Sequence, residues 1–314
     1  MPTLQAAFVR AIFWIIRLIP VRLAGAIGAG AGRLAFHLIR RRREIAVRNL
    51  ARIYPDRSTA WQRHIARESF AEMGRTMLEI PHVFLRSKAF LQSRVQVEGK
   101  AQFLAAMAEG KGVFNIFYHH SNWELCGIMY ATLTPNVDGI YRAIKNPALE
   151  QFVKQRRERF GVSMHPRQQG LRWLPAALKK GHSIAVLLDQ HLSTGLPVPF
   201  MGHLANTSTL PAKFVSKYGT SVFGVALHRI GRSFRFRMEL WPIEMPAPSG
   251  DKDQDIYRIT EHIGKTFEPA IHQRPELWLW SHQRWLWQEE QDAQLAEKAL
   301  VSQSRKERKG RPMR

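Results

Sequence analysis

Apolar residues in this chain recur with two different periods. From residue 112 onwards, short apolar runs of strand length alternate with longer amphipathic stretches that are bounded by Pro or Gly. The predicted strands span residues 112–118, 139–141, 183–188, 221–227 and 232–241, and the predicted helices between them span residues 124–132, 148–160, 171–180 and 208–218. This alternation predicts an α/β fold in which a sheet is flanked by helices.

Two of the predicted strands indicate how the sheet is built. Residues 183–188 (SIAVLL) carry no charge, which is typical of a strand that is covered on both faces of a parallel sheet. Residues 232–241 (RSFRFRMELW) alternate apolar with charged residues, as expected of an antiparallel strand with one wet face near a sheet edge. The sheet is therefore predicted to be mixed and mostly parallel.

Helical spacing also marks the part of the chain that precedes this alternation. Residues 44–53 form a helical pattern closed by Pro55, and residues 58–79 form another that is expected to stop at Pro81. Residues 4–36 are rich in apolar residues, but four arginines interrupt them. No uncharged stretch reaches the roughly 18–20 residues that span a bilayer, and no basic region precedes the apolar run as in a signal peptide.

The apolar stretch at residues 8–19 is predicted to form an interfacial helix that lies on a membrane surface. Its two arginines are seven residues apart and share one helical face, and the basic cluster at residues 40–43 follows. The residues expected at the lipid headgroups are Arg10, Phe13, Trp14 and Arg17. A helix packed on the protein's own core and a short tilted span are the alternatives.

Length and composition favour one large domain with terminal extensions. The chain has 314 residues, of which 45% are apolar, so a substantial core is available. We expect a membrane-associating segment at residues 1–40, a main domain at residues 41–290, and a basic, disordered tail at residues 291–314.

The net charge of +22 predicts an anionic partner. Nucleic acid, acidic phospholipid and an acidic or phosphorylated protein all fit this charge, which does not separate them. Cys126 is the single cysteine, so an intramolecular disulfide and a multi-thiolate metal site are excluded. Its position in a predicted helix favours a buried core thiol over a nucleophile, and a lone cysteine is consistent with a cytosol-facing location.

The segment at residues 119–124 (HHSNWE) is the strongest candidate for chemistry. His119 ends a predicted strand, and in open α/β sheets the carboxyl ends of the strands carry the ligand sites. Ser121 and Glu124 fit the N-cap and N3 positions of a capping box that starts the next helix. A carboxylate beside His119 would make the imidazole a general base; the alternative is that Glu124 only caps the helix and His119 is a core histidine.

Residues 117–127 (FYHHSNWELCG) resemble the His-Phe-Gly-Asn-Trp-Glu segment of the late acyltransferases of lipid A biosynthesis. That family shares a His-x4-Glu/Asp dyad with glycerolipid acyltransferases. Further family-like stretches follow in order at residues 141–147 (YRAIKNP), 155–161 (QRRERFG), 188–191 (LDQH), 199–202 (PFMG), 207–227 and 277–285 (LWLWSHQRW). The resemblance covers about residues 10–287, with His120 and Ser121 as departures at positions where the family has Phe and Gly.

The resemblance implies a role for each matched position. It implies a glycerolipid-acyltransferase-like fold and makes His119 the general base, oriented by Glu124. The other expected substrate or site-wall residues are Arg142, Asn122, Asp189 and Gln190. The residues expected to meet an anionic acceptor or carrier protein are Arg156, Arg157 and Arg159. The tryptophans that form either an interfacial belt or core packing are Trp278, Trp280, Trp285 and Trp287.

The implied function is O-acyl transfer at the cytoplasmic face of the inner membrane. The donor is an acyl thioester of acyl carrier protein or coenzyme A, the acceptor is a hydroxyl of a lipid A precursor or related glycolipid, and no metal or cofactor is expected. Acyl transfer to a phospholipid or aminolipid, hydrolysis by the same dyad, and a basic nucleic-acid-binding protein are the alternatives. The chain length, the acylated position and the oligomeric state are left open.

Overall fold

The computed structural model describes residues 4–291 and residue 294, and its first part is helical. The helices are α1 (Leu4–Leu18), α2 (Val21–Leu38), α3 (Arg40–Ile53) and α4 (Thr59–Leu85). Ser58 caps α4 by accepting a hydrogen bond from the Trp61 N–H. The predicted tail at residues 291–314 lies outside the described residues, apart from residues 291 and 294.

Strands and helices alternate through the rest of the described chain. They are α5 (Lys88–Gln92), β1 (Val95–Glu98), α6 (Lys100–Ala108), β2 (Val113–Phe117), α7 (Trp123–Tyr130), β3 (Val137–Tyr141), α8 (Pro147–Glu158), β4 (Val162–Pro166), α9 (Leu174–Lys179), β5 (Ser183–Leu187), β6 (Leu196–Phe200), β7 (His203–Thr207), α10 (Leu210–Tyr218), β8 (Ser221–Arg229), β9 (Phe236–Pro242), α11 (Lys252–Lys265) and α12 (Glu268–Gln273). Every strand and helix predicted from residue 112 onwards is present. Among the elements that follow α4, the prediction missed α5, β1, α6, β4, the β6–β7 hairpin, α11 and α12.

Seven strands form one sheet in the order β1-β9-β8-β2-β5-β3-β4. The five strands from β8 to β4 are parallel to one another, whereas β9 is antiparallel to β8 and pairs in parallel with β1. The prediction of a mixed, mostly parallel sheet is confirmed, as is the antiparallel strand near an edge. Strand β9 keeps alternate residues buried, which is the pattern that identified its wet face.

The two faces of the sheet pack against different layers. On β2, Val113 and Phe117 face a layer that contains α7 and α8, whereas Phe114 and Ile116 face a layer that contains α11 and the C-terminal tryptophans. All residues of β2 are buried, because both layers cover this central strand. The carboxyl end of β2 is therefore held firmly from both sides.

The sequence pattern predicts that helix α4 stops at Pro81, and this prediction is wrong. The helix continues one turn further to Leu85, with Pro81 inside it. Proline lacks an N–H, so one backbone hydrogen bond is lost there. The extra turn buries Val83 and Phe84, which are 0% and 2% exposed, and this apolar burial offsets the lost hydrogen bond.

Helices α2 and α4 cross with their backbones in contact. A Cβ atom added at Gly28 would lie 2.4 Å from the Gly74 carbonyl oxygen, and one at Gly32 would lie 2.0 Å from the Phe70 carbonyl oxygen. Only glycine permits such an approach, as in the small-residue contacts between membrane helices. Because the small residues of α2 face α4, its large apolar residues other than the buried Phe36 mostly face outwards.

An apolar surface results on α1 and α2. We call this set the N-terminal apolar surface: Phe8, Trp14, Ile15, Leu18, Leu23, Ile27, Leu34 and Leu38, each about half exposed or more. Among the described helices, none taken singly is both long and apolar enough to cross a bilayer, whereas residues 7–18 and α2 pass that test as a pair with a bend of 119° between them.

The interfacial-helix prediction misplaced three of its four side chains. Phe13 packs inwards on Phe84 and Phe152, the Arg10 guanidinium lies over the Phe152 ring, and the Arg17 side chain donates to the Leu85 carbonyl. Only Trp14, 53% exposed, lies outwards as expected. The arginines turn inwards because the unpaired carbonyl near the end of α4 and the Phe152 ring offer partners for the cations.

The basic cluster at residues 40–43 is partly used by the fold itself. Arg43 donates to the Phe36 and His37 carbonyls at the end of α2, and Arg42 donates to the Ser281 carbonyl. Unpaired carbonyls at a helix end attract such donors. These contacts stabilise the sharp α2–α3 connection. Arg40 pairs with Glu44 at 2.7 Å, so among the described residues only Arg41 of this cluster has no partner.

We expect Gly32→Ala to destabilise the protein by about 1–3 kcal/mol, because its methyl group overlaps the α4 backbone and must push the two helices apart. Gly30→Ala is the matched control on the same helix, since a Cβ atom there meets nothing within 4 Å. Its unfolding temperature should hold or rise, because alanine favours helix. Thermal unfolding of detergent-solubilised protein measures both; equal unfolding temperatures for the two variants would contradict the close crossing.

Candidate active site

His119 follows the end of β2 and is held by a buried carboxylate from the neighbouring strand. Its Nδ1 lies 2.7 Å from Asp189 Oδ1, and its backbone N–H donates to Asp189 Oδ2 at 2.7 Å. The Trp278 Nε1–H donates to the same Oδ2 atom at 2.9 Å. Asp189, which follows β5, is 2% exposed, so these three donors replace its hydration.

The ionisation of Asp189 determines which nitrogen of His119 is free. Burial alone raises the pKa of a carboxyl, but the neighbouring His119 and the hydrogen bonds from His119 and Trp278 outweigh it, so the pKa of Asp189 is lowered. An ionised carboxylate accepts from Nδ1–H, which leaves the Nε2 lone pair available. Gln190 Nε2 donates to that lone pair at 3.3 Å.

Glu124 does not hold His119, so the predicted His119–Glu124 hydrogen bond is wrong. The Glu124 carboxylate is paired in bidentate fashion with Arg157 of α8, whose Nε donates to Oε2 at 3.0 Å while the second bond joins NH2 to Oε1. Burial disfavours the charged form of Arg157, but the Glu124 carboxylate outweighs it and raises the Arg157 pKa. Both carboxylates of this site are therefore engaged, and it is Asp189 that orients the imidazole.

A cavity of about 790 Å³ opens at His119; one part extends between α7 and the sheet, and residues from the other face of the sheet also line it. Polar side chains surround its mouth: His119, Glu124, Arg142, Arg157, Arg167 and Gln190. Apolar or small residues line the part between α7 and the sheet: Phe117, Gly127, Ile128, Tyr130, Val137, Gly139, Val162, Met164, Ala185 and Leu187. The lining outside that part includes further polar residues: Gln168, His191, Ser193, Thr194, Ser208 and His282. A long apolar group with a polar head at His119 fits this division of polar and apolar surface.

The other residues expected in the site divide into two groups. Arg142 is exposed at the mouth, where no described side chain pairs with it, and Gln190 contacts His119 directly. Asn122 is 0% exposed and is absent from the cavity lining, because its side chain is used inside the fold. Asn122 is thus removed from the expected substrate contacts.

Asn122, not Ser121, is the N-cap of α7. The Asn122 amide oxygen accepts from the Leu125 N–H at 3.0 Å, and its amide nitrogen donates to Glu79 of α4 at 2.9 Å. Ser121 has a φ of 54° and its N–H donates to the Leu277 carbonyl. The left-handed conformation of Ser121 delays the start of α7 by one residue relative to the predicted capping box. Glu124 is therefore in the first turn, but at N2 and not at N3.

A buried ionic network lies behind this turn. Arg229 of β8 donates to Glu79 through both terminal nitrogens at 2.8 Å and to Glu72 through Nε at 2.7 Å. The Arg229 and Glu79 side chains are 1% and 2% exposed. The network connects β8, α4 and, through Glu79, Asn122. It therefore fixes the turn that carries His119 and Glu124.

Two other candidates in the segment are excluded as the base or nucleophile. Burial and the nearby His228 lower the pKa of His120 to about 3, and its side chain faces the Leu227 carbonyl outside the cavity lining. Cys126 is buried, and burial raises its pKa, which confirms the core thiol. His119 is thus the histidine of the pair that faces the cavity.

Most of the predicted tryptophans and two of the three predicted arginines at the end of α8 contact other parts of the fold. Trp278, Trp280 and Trp285 are buried and pack on one another, so the interfacial-belt alternative is wrong for these three. Arg157 pairs with Glu124, and Arg159 donates to two backbone carbonyls near the end of α4. Within the described part of the chain, no group of three or more His, Cys, Asp or Glu side chains is placed to hold a metal ion.

Asp189 is the residue whose role the sequence reasoning missed. It was expected only as a structural or site-wall residue, although the strand before it had been predicted. Parallel neighbours end at the same edge of a sheet, so the residues that follow β2 and β5 meet there. The signal that could have identified the pair was therefore a carboxylate directly after a buried strand.

Comparison with known proteins gives one consistent family. The family model described as bacterial lipid A biosynthesis acyltransferase matches residues 2–287. A lipid A biosynthesis acyltransferase of Haemophilus influenzae is 26% identical over 275 residues, 86% of this chain and 84% of the relative. The lauroyltransferase and palmitoleoyltransferase of lipid A biosynthesis from Escherichia coli K12 are 23% and 24% identical, each over 87% of this chain and 88% of the relative.

We expect Arg229→Met to cost about 3–5 kcal/mol in the free energy of unfolding near neutral pH, because it leaves Glu72 and Glu79 buried without their main partner. Burial already raises the Glu79 pKa, and Arg229 opposes that shift. Its removal raises the Glu79 pKa further. The native variant then binds a proton more readily than the unfolded chain, and its deficit shrinks as pH falls through the Glu79 pKa.

Urea unfolding of wild type and variant across acidic to neutral pH measures this difference. The double variant Glu79→Gln/Arg229→Met is the control, since it keeps the cavity left by Arg229 but lacks the carboxyl that takes up the proton. A deficit in Arg229→Met that is the same at every pH would contradict the proposed ionic coupling.

Proposed function

This chain belongs to the bacterial lipid A biosynthesis acyltransferase family, and on that premise we propose that it transfers a fatty acyl group from an acyl carrier protein thioester to a hydroxyl of a lipid A precursor. One observation carries the proposal: the His119 ring is anchored through Nδ1 by Asp189 and offers Nε2 at the mouth of an apolar cavity. A base at the head of an apolar channel suits the acylation of a hydroxyl.

In the proposed reaction, His119 Nε2 takes the proton of the acceptor hydroxyl, and the hydroxyl oxygen attacks the thioester carbonyl carbon. The tetrahedral intermediate collapses with cleavage of the carbon–sulfur bond. The carrier leaves as a thiol after it receives the proton from His119. Asp189 keeps the ring in the tautomer that can accept the proton and stabilises the imidazolium between the two transfers.

The negative charge on the carbonyl oxygen needs hydrogen-bond donors at the mouth of the cavity. The Gln190 amide is within reach of His119 Nε2, and Arg157 lines the same opening. Glu124 accepts two hydrogen bonds from Arg157 and therefore restricts the orientation of the guanidinium. We assign Glu124 the role of a positioning residue for Arg157, in place of the direct dyad with His119.

The substrates differ in charge and apolarity, and the cavity accommodates both properties. The acyl chain would lie between α7 and the sheet, where apolar residues line the cavity. Arg142 and Arg167 stand at the mouth, where they would meet phosphates of the acceptor or of the carrier's prosthetic arm. The net charge of +22 suits an anionic donor, a property that an acidic carrier protein and coenzyme A share.

The proposed location is the cytoplasmic face of the inner membrane. The N-terminal apolar surface supports the membrane contact in this proposal, because a contiguous exposed apolar surface on one helix pair is unusual unless another phase covers it. The exposed Trp14 suits the headgroup region of a bilayer. The helix pair would then lie in the interface and keep the protein next to its lipid acceptor.

The three alternative functions are supported to different degrees. Acylation of a phospholipid or aminolipid uses the same site and differs only in the acceptor, so product analysis must decide it. Hydrolysis would need water to replace the acceptor at His119. The net charge of +22 also fits the nucleic-acid-binding alternative, but the family is one of acyltransferases.

We expect His119→Ala to lower kcat for acyl transfer by about 10²–10⁴-fold, as removal of a general base does. Asp189→Asn should lower it on the order of 10³–10⁴-fold, because an amide at this position can hold the wrong tautomer. Glu124→Gln should lose less than Asp189→Asn, since a neutral amide still accepts one hydrogen bond from Arg157. Transfer of labelled acyl groups from acyl carrier protein to a lipid A precursor measures all three.

Asp138→Asn is the matched control for Asp189→Asn. Asp138 is also buried and holds two histidines, His165 and His182, at 2.6 and 2.7 Å, but it is not part of the cavity lining. Its variant should keep the wild-type kcat within about twofold. Wild-type activity in the Asp189 variant, or a larger loss in Glu124→Gln than in Asp189→Asn, would reverse the roles assigned to the two carboxylates.

We expect Ile15→Ser/Leu18→Ser to lower binding to anionic phospholipid vesicles by about tenfold or more, because each apolar side chain contributes on the order of 1.5 kcal/mol when it leaves water. Leu104→Ser on α6, also an exposed leucine, is the control and should bind as wild type does. Vesicle co-sedimentation gives the partition. Unchanged binding of the double variant would remove the N-terminal apolar surface as the membrane contact.

A further inference from the structure

We propose that Gly127 of α7 sets the length of acyl chain that the cavity accepts, because its missing side chain keeps the passage open between His119 and the inner end of the cavity. This inference rests on the proposed function, and it adds a residue that determines substrate specificity. The relatives do not share one acyl chain, since their names specify lauroyl, palmitoleoyl and myristoyl transfer. Family membership therefore does not determine the chain length for this protein.

The strand register divides the sheet wall of the cavity into levels. Phe117 and Leu187 are paired at the level next to His119. One pleat further in, Ala185 is paired with Gly139, which in turn is paired with Met164. At the innermost level, Val137 is paired with Val162. Residues two apart on a strand share a face, so these levels are successive steps along one wall.

Helix α7 forms the opposite wall and has matching levels. Glu124 lies near the mouth, Gly127 lies about one turn further in, and Tyr130 lies about one turn beyond that. Gly127 thus corresponds in depth to the level of Gly139 and Ala185. The side chains that face the cavity at this level are the smallest along its walls, two glycines and an alanine, so this level offers room for an acyl chain.

The space at Gly127 is open, in contrast to the space at Gly139. A Cβ atom added at Gly127 would meet no heavy atom within 4 Å outside its own helical backbone and chain neighbours. A Cβ atom at Gly139 would lie 2.7 Å from the Met164 sulfur, so that volume is already filled. Gly127 is also exposed although the flanking Cys126 and Ile128 are buried, which indicates that its exposure is to the cavity.

Tyr130 marks the inner end of the passage. Its ring is 0% exposed, and its hydroxyl is hydrogen bonded to Ser183, which also accepts from the Asn115 side chain at 2.9 Å. This hydrogen-bonded group is buried beneath α7 and would be costly to displace. An acyl chain that passes Gly127 can therefore extend towards Tyr130, and a chain that is stopped at Gly127 loses that part of the cavity.

The expected effect follows from the burial of methylene groups. Each methylene group of the acyl chain that stays in water lowers kcat/KM by roughly fourfold, which corresponds to ~0.8 kcal/mol. A leucine at position 127 would fill the open space and exclude several methylenes. Short chains, which end before Gly127, would keep their contacts with the mouth of the cavity.

The test compares wild type, Gly127→Ala and Gly127→Leu on a homologous series of saturated acyl carrier protein thioesters from octanoyl to palmitoyl. In Gly127→Leu, kcat/KM for the chain that wild type prefers should fall by about tenfold or more relative to octanoyl, and the preferred chain should become shorter. Gly127→Ala should shift the preference in the same direction by less. Displacement of a bound fluorescent fatty acid by free acids of the same lengths should show the same shift without any turnover.

Gly30→Leu on α2 is the matched control, because a Cβ atom there also meets nothing within 4 Å and position 30 lies outside the cavity. Its chain-length profile should match wild type. The Gly127 variants should unfold at or above the wild-type temperature, since both new residues favour helix over glycine.

Three results would overturn the inference about Gly127. They are an unchanged chain-length profile in Gly127→Leu, an equal fall for all chain lengths, and a profile in Gly30→Leu that shifts in the same way. Failure of the proposed function looks different, because wild type would then transfer no member of the series to the lipid acceptor. The displacement measurement would still report whether chain length depends on position 127.

Discussion

The Asp189 carboxylate is the interaction on which the rest of the site depends. It is buried, and both of its oxygens accept hydrogen bonds, from the His119 backbone, the His119 ring and the Trp278 indole. These donors come from the end of β2 and from the C-terminal tryptophan segment, whereas Asp189 itself follows β5. A buried charge must be compensated, so the parts of the chain that supply the donors cannot separate without a large cost.

A second constraint acts on the helix side of the site. The strained turn at Ser121 and the cap at Asn122 lie against α4, whose Glu72 and Glu79 are both paired with Arg229. The imidazole is thus fixed by one buried carboxylate, and the start of α7 is fixed by others. This double support explains why Glu124 can serve Arg157: the orientation of His119 does not require it. Strain at such a position is typical of sites where geometry matters more than stability.

Apolar side chains are accessible in two places, where contact with water is unfavourable, and both places suit a protein that acts on lipids. One is the cavity between α7 and the sheet, and the other is the N-terminal apolar surface on α1 and α2. The glycine-mediated crossing of α2 and α4 produces the second, because the small residues of α2 face α4 and most of its large apolar residues, Phe36 excepted, lie outside. The same residue type keeps the cavity open at Gly127, so glycine shapes both lipid-facing regions.

The sequence by itself determined the fold class, the order of most elements, the importance of His119 and, through ordered motifs, the family. These are properties of local periodicity and of residue type at fixed spacing, which a linear chain displays directly. It also placed β9 correctly, because one wet face leaves an alternating pattern. The missed β4, β6 and β7 are as long as the predicted β2, β3 and β5, but polar residues or prolines interrupt their apolar pattern, as polar residues do in β1.

Only the tertiary structure decided which carboxylate serves which partner. Glu124 is five residues from His119 and Asp189 is seventy, yet the parallel pairing of β2 and β5 brings Asp189 to the imidazole. The same holds for Arg10, Phe13 and Pro81, whose surroundings depend on helices that pack from elsewhere in the chain. Sequence spacing sets the direction of a side chain within one element, whereas its partner is set by the packing of elements that are distant in the chain.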